Sequence, residues 1–179
     1  AAWARPGNEE ELPVVALFGS DPGSARAVAA AACRARGWMP YVVSERFIPA
    51  NATELQLLVR LWQREARLGT AALVVDCDGS AAEPTHDGVL GEFLDRTRAP
   101  LVVIGRDRHH LGQRRTVSFE VGKPTPREQR DIWRFALADA PLPLSEGLDP
   151  LTAQFSFNVS DIHSAAAEAG NEISPTRRI

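Results

Sequence analysis

Apolar residues fall along this chain in two alternating rhythms. An unbroken run occupies "VVALFG" (14–19), and further strand-like segments fall at "YVVS" (41–44), "AALVVDCDG" (71–79), "PLVVIG" (100–105) and "TVSFEV" (116–121). Such runs suit strands covered on both faces in a parallel sheet. Between the first two, Ala25, Val28, Ala29, Ala32 and Cys33 share one helical face, and Gly37 stops the helix. Next, Thr53 to Gln56 forms a T-x-x-Q capping box before a long helix. That helix repeats Leu55, Leu58, Val59, Trp62 and Ala66 at i, i+3, i+4, i+7 and i+11, and ends at Gly69. A short helix around 87–97 leads into the fourth run. After the fifth, Thr125, Pro126 and Glu128 make a second capping box with proline at the first helical position. The helix it opens holds Ile132, Trp133, Phe135, Ala136 and Leu137. "ADAPLPLSEGLDP" reads as a proline-rich hinge, and "LTAQF" and "VSDIHSAAAEA" as two short helices. Strands alternating with helices predict a parallel α/β sheet. Residues 1–12 read as a tail, 13–140 as the α/β core, and 141–179 as a small helical appendage running into a linker.

Composition narrows the classes without choosing among them. With 179 residues, 44% hydrophobic and 24% charged, the chain has ordinary globular character and enough length for a sizeable core. A net charge of −3 gives no general attraction to nucleic acid or an acidic membrane, so neither is expected as a partner. The two cysteines, Cys33 and Cys77, form no metal-like pair, which points to a reduced, cytoplasmic setting. No apolar run approaches the ~20 residues of a membrane span, and no signal peptide is visible. An initial Ala and the ending "SPTRRI" read as the edges of a piece of a longer protein.

The first strand, loop and helix have the layout of a phosphate-binding loop, in which backbone N–H groups and a helix N-terminus hold a phosphate. The full pattern, G-x-x-x-x-G-K-[ST], adds a Lys for the β/γ-phosphates and a hydroxyl for Mg²⁺. Laid on "GSDPGSAR", it puts Gly19 at the first glycine and Ser24 at the second, with Gly23 beside it. The Lys position becomes Ala25 and the hydroxyl position Arg26. Loss of a single charge-assisted hydrogen bond weakens binding by about one to two decades. Asp21 adds like-charge repulsion.

Asp76 closes the third strand, at the end of an α/β sheet where ligands sit, and is the candidate Mg²⁺ ligand. Cys77 follows it where a carboxylate base would be needed, and Asp78 is expected to point elsewhere. "GRDRHHLGQRRT" (105–116) concentrates four arginines and two histidines between the fourth and fifth strands. Arginines there could reach a neighbouring subunit's phosphate. Neither a zinc pattern nor a nucleophile elbow is present.

These landmarks, in this order, resemble those of an AAA+ ATPase module: "LFGSDPGSARAVAAAACRARG", "LVVDCDG", "PLVVIGRDR" and "FEVGKPTPREQRDIWRFAL". "LDPLTAQFSFNVSDIHSAAAEAG" is similar to the lid helices of that family. More narrowly, the chain looks like the ATPases encoded with extracellular contractile injection systems, in which two modules often stand in tandem with the first degenerate. The resemblance implies a five-stranded parallel sheet of P-loop NTPase type with a small C-terminal helical lid. It implies vestigial nucleotide-site positions at Gly19, Gly23, Ser24, Ala25, Arg26, Asp76 and, at the sensor position, Asp107. Cys77 would stand for the catalytic Glu, and Arg114 and Arg115 for trans arginines. The expected role is a pseudo-ATPase module beside a sibling module or neighbouring subunits, with no catalytic residue and no required cofactor. One alternative keeps weak ATP/Mg binding. Another is a receiver-like signalling domain with Asp76 as phosphoacceptor. Sheet order separates them, because a receiver puts the first strand between the second and third, and AAA+ puts it between the fourth and fifth.

Overall fold

The computed structural model describes residues 12–78, 84–106, 112–138 and 148–173. They form two compact units, Ala1–Val121 and Gly122–Ile179. In the first unit the elements run β1 (Val14–Phe18), α1 (Pro22–Ala35), β2 (Met39–Ser44), α2 (Ala52–Gly69), β3 (Ala71–Asp76), α3 (Pro84–Arg96), β4 (Leu101–Gly105) and β5 (Thr116–Glu120). The second holds α4 (Pro126–Ala136), α5 (Leu148–Gln154) and α6 (Val159–Ile173). The break falls before α4, whereas the sequence reading ended the core at 140. The apolar face of α4 packs on α5 and α6, which is why it groups with them.

All neighbouring strands are parallel, in the order β2-β3-β4-β1-β5. β1 therefore lies between β4 and β5, with Val15 opposite Val102 and Val117. This order overturns the receiver reading.

Strand alternation divides the core into two layers. Ala72 and Val74 face the α1 side with Val15, Leu17, Val102 and Ile104, where they meet Ala25, Ala29 and Cys33. Leu73, Val75 and Cys77 face the other way, against Leu55 and Val59 of α2 and Leu90, Phe93 and Leu94 of α3. The buried stripe of α1 is narrower than the sequence pattern suggests. Val28 is 44% exposed and Ala32 is exposed, because the sheet covers little more than the Ser24, Ala25, Ala29 and Cys33 line. The N-cap of α2 is also corrected. Asn51, not Thr53, caps the helix, its Oδ1 accepting from the amides of Thr53 at 2.9 Å and Glu54 at 3.2 Å.

Arg114 has a different place from the one the resemblance implied. It is buried, and its guanidinium donates to the carbonyl oxygens of Leu12, Leu94, Thr97 and Ala99. Those last three carbonyls stand at or just past the C-terminal end of α3, where a cation is favoured. Asp95 holds the same turn by accepting from the amides of Gln113 and Arg114, both at 2.8 Å. Arg114 is thus an internal tie between β5, α3 and the segment before β1, and is not placed to act in trans.

In the second unit, Trp133, Leu137, Leu148, Ile162 and Ala166 form the core, with Phe157 edge-on to Trp133 at 6.0 Å. Buried Gln129 donates to Pro124 O at 3.0 Å and accepts from Phe157 N at 3.3 Å. The capping box at Thr125 and Glu128 forms as the sequence predicts. No helix among the described residues is long and apolar enough to cross a membrane.

Replacing Arg114 with Met leaves buried carbonyls without a donor, and should cost about 2–4 kcal/mol of stability in urea unfolding. An unchanged unfolding midpoint would mean that those carbonyls find other donors. The Glu128 carboxyl is held below its usual range, first by the Thr125 backbone N–H and then by the Thr125 hydroxyl. Its folded value is depressed, so its contribution is present above the ordinary carboxylate range and is lost as pH falls through the lowered value. Thermal melts at neutral and acid pH should therefore show a smaller acid loss for Glu128→Gln than for the parent.

Candidate functional site

The site to test is the carboxyl edge of the sheet, where β1 passes into α1. Only Gly19, Ser20 and Asp21 separate the end of β1 from Pro22, the first residue of α1. Counted from Gly19, the helix begins at the fourth position of the phosphate-loop pattern, so residues that would wrap a phosphate are wound into its first turn. Pro22 has no N–H, and the Ala25 amide donates to Asp21 O at 3.2 Å as part of the helix. Gly19 is required by its surroundings, since its φ is +152° and a Cβ would run into the Val121 carbonyl oxygen. β5 packs that closely against the loop, and Val121 N donates to Phe18 O at 2.7 Å.

An anion already stands at the start of α1. Asp21 is 4% exposed, and its Oδ2 accepts from the hydroxyl of Ser24, itself 2% exposed, at 2.6 Å. The helix N-terminus favours negative charge, and here the chain's own carboxylate supplies it. Ser24, at the second-glycine position, is consumed in this contact. Ala25, at the Lys position, is 1% exposed and packs into the α1 face of the core, away from any phosphate.

Arg26, at the hydroxyl position, reaches across to β3. Its Nε lies 2.6 Å from Asp76 Oδ2, and its terminal nitrogen is 3.8 Å from Asp78 Oδ2. The second Asp76 oxygen accepts from the Asp78 amide at 3.0 Å. Asp78 Oδ1 in turn receives Arg106 Nε at 2.7 Å. Asp78 thus joins the cluster, contrary to the expectation that it points elsewhere. The hydrogen bond to Asp76, reinforced by the charges of Asp76 and Asp78, holds the Arg26 guanidinium more firmly protonated than usual, against the opposing effect of burial.

This arrangement does not fit magnesium. In a phosphate-loop site the hydroxyl and the strand-end acid share the metal. Here a guanidinium fills that relation, and each oxygen of Asp76 has a donor. Cys77, at the catalytic-Glu position, is 7% exposed and faces the α2–α3 side of the sheet. Gly23 lies half-buried in the first turn of α1. Asp107 falls outside the described residues, as do His109 and His110. Arg115 is exposed, and its carbonyl accepts from Val14 N at 2.9 Å. Among the described residues no group of acids, histidines and cysteines could hold a metal ion. The sequence showed each charge of the Arg26–Asp76–Asp78–Arg106 ladder, but not that a 50-residue separation would close to one contact.

Comparison with known proteins now bears on this geometry. Residues 125–178 match the family "Contractile injection system ATPase helical domain". The fold is similar to that of a solved structure described as the FIGL-1 AAA domain in complex with ADP, at a TM-score of 0.60 and 17% identity. The match covers 89% of this chain and 60% of that one, which is under two thirds of the latter's length. No curated protein sequence matches. The C-terminal helices are thus similar to a contractile injection system ATPase helical domain, and the fold is similar to that of an AAA domain. The β1 position between β4 and β5 is the one that the AAA+ reading required.

Two substitutions separate the internal pairing from a merely damaged nucleotide site. Arg26→Ala strands Asp76 beside the sheet and should cost about 1–2 kcal/mol, discounted because the Arg26 side chain is 45% exposed. Ala25→Lys should lower stability by about 1–3 kcal/mol through overpacking of the α1 face, without conferring nucleotide binding. Chemical unfolding reads the first effect, and unfolding with nucleotide titration reads both parts of the second.

Proposed function

We propose that this module is a pseudo-ATPase: an AAA+ unit that contributes contact surface and assembly within a larger ATP-driven remodelling protein and has little or no turnover of its own. The observation that carries the reading is the Arg26 guanidinium on Asp76, in the relation that Mg²⁺ would need. Buried Asp21 at the start of α1 and apolar Ala25 at the Lys position support it independently. A site with three carboxylates and two guanidiniums has no surplus positive charge for a triphosphate.

The partners in this reading are a sibling AAA+ module or neighbouring subunits, in the cytoplasm, where the buried thiols of Cys33 and Cys77 stay reduced. Arg115 is the exposed arginine that remains for a trans contact with a nucleotide held by a neighbour.

Thermal unfolding with millimolar ATP and Mg²⁺ tests the proposal directly. The expected melting temperature is the same with and without nucleotide, because a ligand that does not bind the native state cannot stabilise it. A rise of several degrees, or ATP hydrolysis abolished by Asp76→Ala, would overturn the reading.

A further inference from the structure

Helix α2 carries two apolar stripes, and the core uses one. Leu55, Val59 and Ala66 are buried, with Leu58 and Trp62 packed against the core. Leu57, Leu61 and Leu68 lie at i, i+4 and i+11, on a line roughly opposite the buried stripe at 3.6 residues per turn. They are 54%, 54% and 73% exposed. Arg64 completes the line, giving 57, 61, 64 and 68, the 4-3-4 spacing by which one helix seats another. Arg64 is exposed and takes no ion pair among the described residues. Arg60 and Arg67 flank the line on one side, and Glu54 and Glu65 on the other; all four are exposed.

We infer that this outer face of α2 docks an amphipathic helix of a different polypeptide, with leucine-like residues along its seam and an acid opposite Arg64. The charges choose this occupant over the others. A second copy packed in parallel would bring Arg64 against its own counterpart inside the seam, an unpaired like-charge contact. A second copy packed antiparallel would set the Arg60 and Arg67 flank against the same flank. An acidic membrane would meet Glu54 and Glu65 along one border of the apolar line. A partner helix with a carboxylate at the Arg64 level satisfies the one polar position in the stripe, and its rim can answer a basic flank on one side and an acidic flank on the other.

The test uses designed helical peptides of about 20 residues, long enough to hold a helix when stapled. Their apolar seam matches 57, 61 and 68, with Glu or Lys at the position facing Arg64. Fluorescence anisotropy with the whole chain should show the Glu peptide binding about tenfold tighter than the Lys peptide. Leu57→Gln with Leu61→Gln should abolish binding while leaving the melting temperature unchanged, since both side chains are half exposed. Arg64→Glu should reverse the preference between peptides. Sedimentation and vesicle flotation complete the comparison. The proposal fails if neither peptide binds, or if both bind alike. It also fails if Leu57→Gln with Leu61→Gln instead dissolves a self-dimer, or releases the chain from anionic phosphatidylserine vesicles.

Discussion

A guanidinium from α1 and a carboxylate from β3, joined by a 2.6 Å contact, set the terms for everything at the carboxyl edge of this sheet. The pair links α1 to β3, whose apolar faces share one core layer containing Ala25, Ala29, Ala72 and Val74. A charge-assisted bond in this position contributes about 1.5–3 kcal/mol before exposure is discounted, against a few tenths for an ordinary surface pair. Asp78 and Arg106 extend the alternation to the end of β4. The ladder thus spans α1, the end of β3 and the end of β4, where an AAA+ site would gather its ligand-binding groups. Cation and anion are both supplied by the chain itself.

Much of the fold was legible because its signals are local and strong. The apolar runs at 71–76 and 101–105 are buried at every position, so periodicity could not mislead there. Pro126 and the Thr125–Glu128 box mark the start of α4 by backbone chemistry alone. The failures are nonlocal or competitive. Asn51 and Thr53 both suit a helix N-terminus, and only the path of the chain shows that Asn51 reaches two amides. Arg114 looked like a surface arginine because its sequence neighbours, Gln113 and Arg115, are exposed. Its burial depends on carbonyls from 12 and 94–99, which no reading of 105–116 could supply. The site divides in the same way. Ala25 and Cys77 were evident at the Lys and Glu positions, whereas the Arg26–Asp76 pairing joins residues 50 apart in sequence and depends on the fold.

The separation between missing groups and replacing groups decides how the site should be understood. A phosphate loop that lost its Lys alone would keep its width, its amides and an acid ready for a cation. This one has Pro22 and a wound first turn where the loop would open, a buried acid at the helix start, and an arginine on the strand-end carboxylate. Each change makes the others more tolerable. Asp21 offsets the positive end of α1, Ser24 satisfies one of its oxygens, and Arg26 satisfies Asp76. Introducing a single phosphate-loop group would place it against an anion or a cation already in its seat.

Ligand-bound nucleotide folds draw part of their stability from the ligand, in proportion to its occupancy. On the proposed reading, a module that supplies its own counter-charges would have the same stability at every nucleotide concentration and would offer a constant surface to whatever packs on it. That property suits a contact element better than a timed one. It also moves attention from the sheet edge to surfaces whose chemistry is unsatisfied. Among the described residues the outer line of α2 is one such surface, with three exposed leucines interrupted by one arginine. At the sheet edge each Asp76 oxygen has a donor and Arg26 has an acceptor, so another molecule would have to break existing pairs to bind there. On α2 a partner would pair with Arg64, which takes no ion pair among the described residues, and by that comparison recognition costs less at the helix face than at the sheet edge.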